Sequence, residues 1–314
     1  MNNTDIDELF KGPIEFEDSL FAEEKQLRPC YKEEHHKDFI PVSDFSVNSL
    51  PPDYRDMDLF NLITHQISLT VSISIEFTST RRPEFYPGTT DQYPALNFRG
   101  QSKLRTGSGF VCRVVKQEES PCQCVDCKTI ESPKREWGEI NVFTTSHVVF
   151  DESETKHTSC RFFYDNVDSE KRIIRAERIV RCNLEKDWCR LNLITHDIDL
   201  LDKLEHHLEQ FDQYCQTVED KYSPIGEMHK LTVIVSHSHG NPKMVSIGEW
   251  QHKRRKGKYG DHVYTYTTPT CPGSSGAYVY IMGGGKQSYD YLHKGCVKGS
   301  DLKLNYSTRG WETL

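Results

Sequence analysis

The residues best suited to chemistry lie near the C-terminal end, in Thr270-Cys271-Pro272-Gly273-Ser274-Ser275-Gly276-Ala277. A serine between glycines, ahead of the apolar run Tyr278-Val279-Tyr280-Ile281, suits a nucleophile. The glycines let the backbone turn sharply and aim its N–H groups inward. Such groups can stabilise an oxyanion, often the largest single contribution to acyl-transfer catalysis. Ser/Gly turns before strands are common, so the motif needs partners. A serine hydroxyl is a poor nucleophile until an imidazole takes its proton and a carboxylate orients that imidazole.

Two upstream segments supply such partners. Trp137-Gly138-Glu139-Ile140-Asn141-Val142-Phe143-Thr144-Thr145-Ser146-His147-Val148 is a β run ending in one histidine. Asp187-Trp188-Cys189-Arg190-Leu191-Asn192-Leu193 is a β run headed by an acid. Asp197, in His196-Asp197-Ile198-Asp199-Leu200-Leu201, is the alternative carboxylate. Asp187 is preferred because a strand follows it, whereas Leu200, Leu201, Leu204, Leu208 and Phe211 have helical spacing. His206 and His207 are neighbours on that helix and are read as solvated.

Pro121-Cys122-Gln123-Cys124-Val125-Asp126-Cys127 sets three thiols as C-x-C-x-x-C, a candidate structural zinc site. Cys160, His157 and Cys30 are candidate fourth ligands, and the sequence does not choose among them. His237 and His239, in Ser236-His237-Ser238-His239-Gly240, read as ordinary turn histidines.

The elements that must position these groups are short strands. Leu62 to Phe77 alternates apolar and polar residues and is expected to be a half-buried strand. Thr106-Gly107-Ser108-Gly109-Phe110-Val111 suits a strand that approaches another backbone closely. Many short strands and one amphipathic helix, His196–Phe211, indicate a mostly β barrel or sandwich.

The chain has 314 residues and a net charge of −8. Residues 1–56 carry 14 acids against 6 bases, leaving 33 of each in the remainder. An acidic, proline-dotted segment over 1–56 is expected to be disordered. The balanced body excludes a general nucleic-acid surface, and the basic run Lys253-Arg254-Arg255-Lys256 reads as a solvated turn. The polar start, Met1 to Glu8, has no secretion signal, and no stretch approaches a membrane span. A cytoplasmic protein is expected, with eleven cysteines as thiols or metal ligands rather than a disulfide framework.

On four of these segments the chain resembles the trypsin-like serine peptidase superfamily. Thr106–Val111 is similar to that family's Gly-Ser-Gly-Phe strand, and Val142–Val148 to its Leu-Thr-Ala-Ala-His segment. Asp187–Leu193 is similar to Asp-Ile-Ala-Leu-Leu-Lys-Leu, and Gly273–Ala277 to Gly-Asp-Ser-Gly-Gly. The chain also resembles invertebrate trypsin-like peptidase-domain proteins, through the cysteine loop and Asn305-Tyr306-Ser307.

The resemblance implies two packed six-stranded antiparallel β-barrels over 57–314, the first about 57–195 and the second about 230–314. It implies a serine endopeptidase with His147 as base, Asp187 as orienting acid and Ser275 as nucleophile. The N–H groups of Gly273 and Ser275 would form the oxyanion hole. Thr270, five before Ser275, and His293, in a late strand, match positions that bind a substrate carboxylate in glutamyl endopeptidases. They imply Glu or Gln at the cleavage position. Ser274 replaces an aspartate that captures a freed N-terminus in secreted trypsins, and Ala277 replaces a glycine. The implied partner is a peptide or protein substrate, with no cofactor needed for the chemistry, no nucleic acid and no membrane. The alternative is a silent protease-like module that binds peptides.

Overall fold

The computed structural model describes residues 17–18, 30, 32–222, 228–256, 261–284, 291–297 and 304–309. Residues 1–16 and 19–29 of the acidic segment, and the tip of the basic hairpin at 257–260, lie outside the described residues.

Six strands make the first barrel: β1 (Thr70–Ile75), β2 (Arg105–Gln117), β3 (Trp137–Thr144), β4 (Thr158–Phe162), β5 (Arg172–Asn183) and β6 (Trp188–Thr195). All ladders are antiparallel, in the order β2-β1-β4-β5-β6-β3, and a further β2–β3 ladder closes the ring. Closure removes the exposed strand edges that an open sheet leaves. Val71, Ile73, Ile75, Val111, Ile140, Val142, Leu191 and Leu193 are fully buried, so the period-two pattern does fill one core.

The second unit has β7 (Leu231–Ser236), β8 (Met244–Lys256), β9 (Asp261–Tyr266), β10 (Val279–Ile281), β11 (Tyr291–Cys296) and β12 (Asn305–Arg309). The order is β10-β7-β8-β9-β12-β11. Among the described residues its edges meet at the Tyr278–Leu292 bridge, with backbone bonds from His293 N–H to Ala277 O (2.8 Å) and from Gly276 N–H to His293 O (3.0 Å). The architecture is thus mostly β: one closed six-stranded barrel and one six-stranded sheet curled almost to closure.

Among the described residues two long helices, not one, lie outside the strands: α1 (Met57–Leu69) and α2 (Ile198–Tyr222). The expected strand over 62–77 is therefore half helix. Asp56 caps α1 by accepting the Asp58 N–H at 2.8 Å, and Leu59, Leu62, Ile63, Gln66 and Leu69 bury one face. The strand begins only at Thr70. On α2, His207 is half-buried rather than solvated, with its Nδ1 3.0 Å from that of His65 on α1. Among the described residues no helix is long and apolar enough to cross a membrane.

Residues 32–56 correct the expected disorder. They form the 3₁₀ turns Glu33–Asp38, Val47–Ser49 and Pro52–Tyr54, and Ile40–Pro41 pairs with β8. Burying Phe45 and Leu50 against the core, and Lys32 elsewhere, ties this stretch down.

Candidate active site

β3 ends at Thr144, and the chain turns through Thr145-Ser146-His147, with Val148 and Val149 N–H groups donating back to the Thr145 carbonyl (3.1 and 3.2 Å). Asp187 stands at the β5–β6 turn with φ of +49°, a left-handed conformation that aspartate tolerates in tight turns. Its carboxylate meets the histidine turn at three points. Oδ1 accepts from the His147 N–H (3.0 Å) and from the Ser146 hydroxyl (2.8 Å), and Oδ2 lies 2.7 Å from His147 Nδ1. A carboxylate only accepts, so Nδ1 carries the proton and Nε2 is the basic nitrogen.

Burial opposes the charge on Asp187, but His147 and Lys294 outweigh it and hold the carboxyl well below the usual range. Burial lowers the pKa of His147, and the Asp187 carboxylate only partly restores it. Lys294, on β11, donates its ammonium to the Asp187 backbone carbonyl, and its charge lowers His147 further. Asp197, the alternative carboxylate, is far from this role. It caps α2, accepting the Leu200 N–H at 2.9 Å, and lies 3.7 Å from Arg172.

A second ionic group fixes the histidine turn from behind. Glu154 is fully buried between two buried arginines, with Arg82 Nε at 2.6 Å and Arg105 Nη2 at 2.9 Å. Arg82 also donates to the His147 carbonyl (3.0 Å), and Arg105 to that of Val148 (3.0 Å). Ser79 and Phe150 N–H groups complete the shell around Glu154 (2.9 and 3.0 Å). Nothing in the local sequence marks Glu154 out from the exposed acids nearby.

The Ser275 loop is held by the Gly-Ser-Gly strand of the other barrel. Ser108 N–H donates to the Ser275 carbonyl (2.9 Å), and Ser108 Oγ donates to that of Gly273 (2.8 Å). The Ser108 carbonyl in turn accepts from Thr144 Oγ1 (2.9 Å), three residues before His147. Gly273 (φ +93°) and Gly276 (φ +84°) both need the left-handed region. A Cβ on Gly273 would also sit 2.6 Å from the His237 carbonyl, and one on Gly276 would collide with Thr144 Oγ1 and the Ser108 carbonyl. Both Ser274 and Ser275 are buried. Ser274 Oγ lies among hydroxyls, 3.1 Å from Ser236 and 3.0 Å from Ser238, and accepts the Cys271 N–H at 3.2 Å. The structure therefore joins His147 to Asp187 directly and seats the Ser275 loop on the strand that Thr144 also grips.

Thr270 and His293 are both buried on the second unit. His293 Nδ1 lies 2.8 Å from the Tyr266 hydroxyl. Burial pushes the Tyr266 hydroxyl up and the His293 imidazole down, so a protonated tyrosine faces a neutral ring. A residue that sequence reasoning passed over bonds to Thr270. Lys32 is buried, and its Nζ donates to Thr270 Oγ1 (3.0 Å) and Asn305 Oδ1 (2.8 Å). Its charge is among those that depress His293. No local signal could have shown this, because the contacts span 238 and 273 residues.

The cysteine loop also acquires a partner. Cys122, Cys124, Cys127 and His196 bring their ligand atoms within 4.8 Å of one another, with Cys127 Sγ 3.4 Å from His196 Nε2. N–H groups of Cys124 and Cys127 donate to the sulfurs of Cys122 and Cys124 (3.4 Å each). His196, at the β6–α2 junction, thus replaces the expected candidates. Cys160 faces the first barrel's core, His157 packs at a tilt against Phe77, and Cys30 lies elsewhere.

No family model matches the chain, and no curated protein matches it. The resemblance to invertebrate peptidase-domain proteins therefore has no support in these comparisons. Among solved structures, the chain is similar to the active form of the Rv3671c protease from M. tuberculosis. Identity is 14%, with a TM-score of 0.41, over 79% of this chain and 78% of that one. The inactive form gives 13% and 0.39, over 81% and 90%. The HtrA-type protease AlgW with a decapeptide gives 11% and 0.43, over 79% of this chain and 63% of that one. These solved structures are proteases, one from M. tuberculosis and one of the HtrA type.

Proposed function

We propose that the chain is a serine endopeptidase. The observation that supports this best is the 2.7 Å contact between His147 Nδ1 and Asp187 Oδ2 on the turn that follows β3. In this reading the Ser275 hydroxyl attacks a peptide carbonyl while His147 Nε2 takes its proton. The N–H groups of Gly273 and Ser275 receive the developing oxyanion. His147 then returns the proton to the leaving amine, and water repeats the sequence to free the acyl group and restore Ser275. Asp187 keeps Nε2 basic by holding the proton on Nδ1 and stabilises the imidazolium that forms.

A fluorophosphonate probe tests the reading. Wild type should label and Ser275→Ala should not. Absence of labelling at Ser275 in the folded wild type would favour the peptide-binding module instead. The labelling rate should rise with pH around a midpoint below about 6.5, the ordinary imidazole value, because burial lowers His147. Removing the neighbouring charge by Lys294→Met should move that midpoint up; a downward move would contradict the role given to Lys294.

Thr270, His293 and Lys32 form a polar group suited to a substrate carboxylate. Tyr266 donating to His293 Nδ1 would leave Nε2–H as a donor, and the Lys32 ammonium adds positive charge. Lys32 tilts the expected Glu/Gln preference towards Glu. Cleavage of matched peptides should favour Glu over Gln, and Lys32→Met should reduce that ratio by at least about tenfold, or about 1.4 kcal/mol. An unchanged ratio would remove Lys32 from substrate choice. Separately, Cys122, Cys124, Cys127 and His196 have the donor set of a structural zinc site, bracing the β2–β3 loop against Trp137 and the start of α2.

A further inference from the structure

A second cluster of metal-ligand side chains lies beside the Ser275 loop. Cys30 and His36 come from the N-terminal segment, His36 from the 3₁₀ turn Glu33–Asp38. His239 comes from the turn after β7, and Cys271 stands four residues before Ser275. The four ligand atoms all lie within 4.8 Å of one another. Cys30 Sγ and Cys271 Sγ are 3.7 Å apart, and His36 Nε2 and His239 Nε2 are 3.2 Å apart.

Those spacings have a simple geometric meaning. Zinc holds sulfur at about 2.3 Å and imidazole nitrogen at about 2.0–2.1 Å. The edge of a regular tetrahedron is about 1.6 times its centre-to-corner distance. Tetrahedral zinc therefore spaces its sulfurs by about 3.8 Å and its nitrogens by about 3.3 Å. Both observed edges agree to within about 0.2 Å. The sulfurs stand far outside the roughly 2.05 Å of a disulfide. Local structure also serves the cluster. His239 takes a left-handed conformation (φ +58°), and its N–H donates to the Pro272 carbonyl at 2.6 Å, beside Cys271. A histidine in that region carries a strain of order 1 kcal/mol, which surrounding contacts must offset. The Lys32 N–H donates to Cys30 Sγ at 3.4 Å.

We infer that Cys30, His36, His239 and Cys271 bind a structural zinc ion that staples the N-terminal segment onto the Ser275 loop. Two thiols lose their protons as the ion enters, two imidazoles bind neutral, and two protons leave for each Zn²⁺ taken up. The product is an electrically neutral Cys₂His₂ centre. Cys30 and Cys271 are 241 positions apart, so one ion closes a very long loop. It also fixes two neighbours that hydrogen-bond to each other and are read above as binding a substrate carboxylate: Lys32, two residues after Cys30, and Thr270, beside Cys271. That last consequence rests on the peptidase reading; the metal site does not.

The test is metal content of the full chain purified from zinc-supplemented medium, measured by mass spectrometry, with circular dichroism to check folding. The double variant Cys30→Ser/His36→Gln should carry one zinc fewer than wild type. Both replaced residues lie outside the barrels. In a Cys122→Ser/Cys127→Ser background, the zinc that remains should show two sulfur and two nitrogen neighbours by X-ray absorption. Full zinc retention in Cys30→Ser/His36→Gln would overturn the inference, and so would a remaining ion with only oxygen and nitrogen neighbours. Zinc stoichiometry is read independently of Ser275 labelling. A chain that never labels but loses one zinc in Cys30→Ser/His36→Gln fails as a peptidase and keeps this site.

Discussion

Asp187→Asn should lower peptide turnover roughly 10⁴-fold, the size of loss that this change causes in a serine protease triad. The isosteric amide can still fill the turn. It presents an N–H₂ group where Oδ2 now meets His147 Nδ1, so the imidazole is driven to the tautomer with the proton on Nε2. That nitrogen can then no longer take a proton from serine. Asp197→Asn is the matched control. It touches only the cap of α2 and the Arg172 group, and asparagine caps helices about as well as aspartate. Turnover should stay within about twofold, because α2's cap lies outside the proton path. Initial rates on one peptide substrate decide the matter. Equal losses in both variants, or a larger loss at Asp197, would reject Asp187 as the orienting acid.

Glu154→Ala should be the most destabilising single change in the first barrel. It leaves Arg82 and Arg105 buried without their shared carboxylate, and breaking a buried ion pair on one side costs about 3–5 kcal/mol. Urea unfolding measures it; a loss below about 1 kcal/mol would mean the arginines find other partners. The pH dependence has a definite sign. Burial works against the Glu154 charge, but Arg82 and Arg105 win and lower its pKa from 4.5. A lowered carboxyl contributes stability that is present above its unfolded value and lost as pH falls through the folded one. The stability gap between wild type and Glu154→Ala should therefore be full above about pH 4.5, shrink as pH falls below it, and close only once pH has passed the lowered folded value. Arg82 also holds the His147 carbonyl, so the variant should react more slowly at Ser275 even where it stays folded.

What could be read from the sequence was local. β-rich runs marked β3 and β6, and each has its candidate residue just beyond one end, His147 after β3 and Asp187 before β6. Asp187 was separable from Asp197 because the apolar spacing after each differs, and the structure gives one to a hairpin turn and the other to a helix cap. Alternation also misled at Ile67 and Leu69. The last turn of α1 runs straight into β1, so an apolar residue at every second position spans a change of period. Lys32, Glu154, Lys294 and His196 were silent for a different reason. Each is defined by a partner remote in sequence, and burial of a charged side chain leaves no periodic trace. The acidic segment looked disordered on composition, yet residues 32–56 are ordered by contacts that composition does not describe.

The seam between β10 and β11 bears on how the molecule breathes. Opening the first barrel means parting a whole strand-to-strand ladder, whereas among the described residues the second unit is joined at this seam by one bridge and its neighbouring backbone bonds. Partial opening follows the region with the fewest hydrogen bonds to break. That region includes the amide of Gly276, next to Ser275, and that of His293. Those amides should exchange their hydrogens for deuterium well before the strands of the first barrel. If a substrate-like peptide binds beside Ser275, as the peptidase reading requires, it should protect them selectively, and the tightness of this seam would then depend on a ligand as well as on the fold.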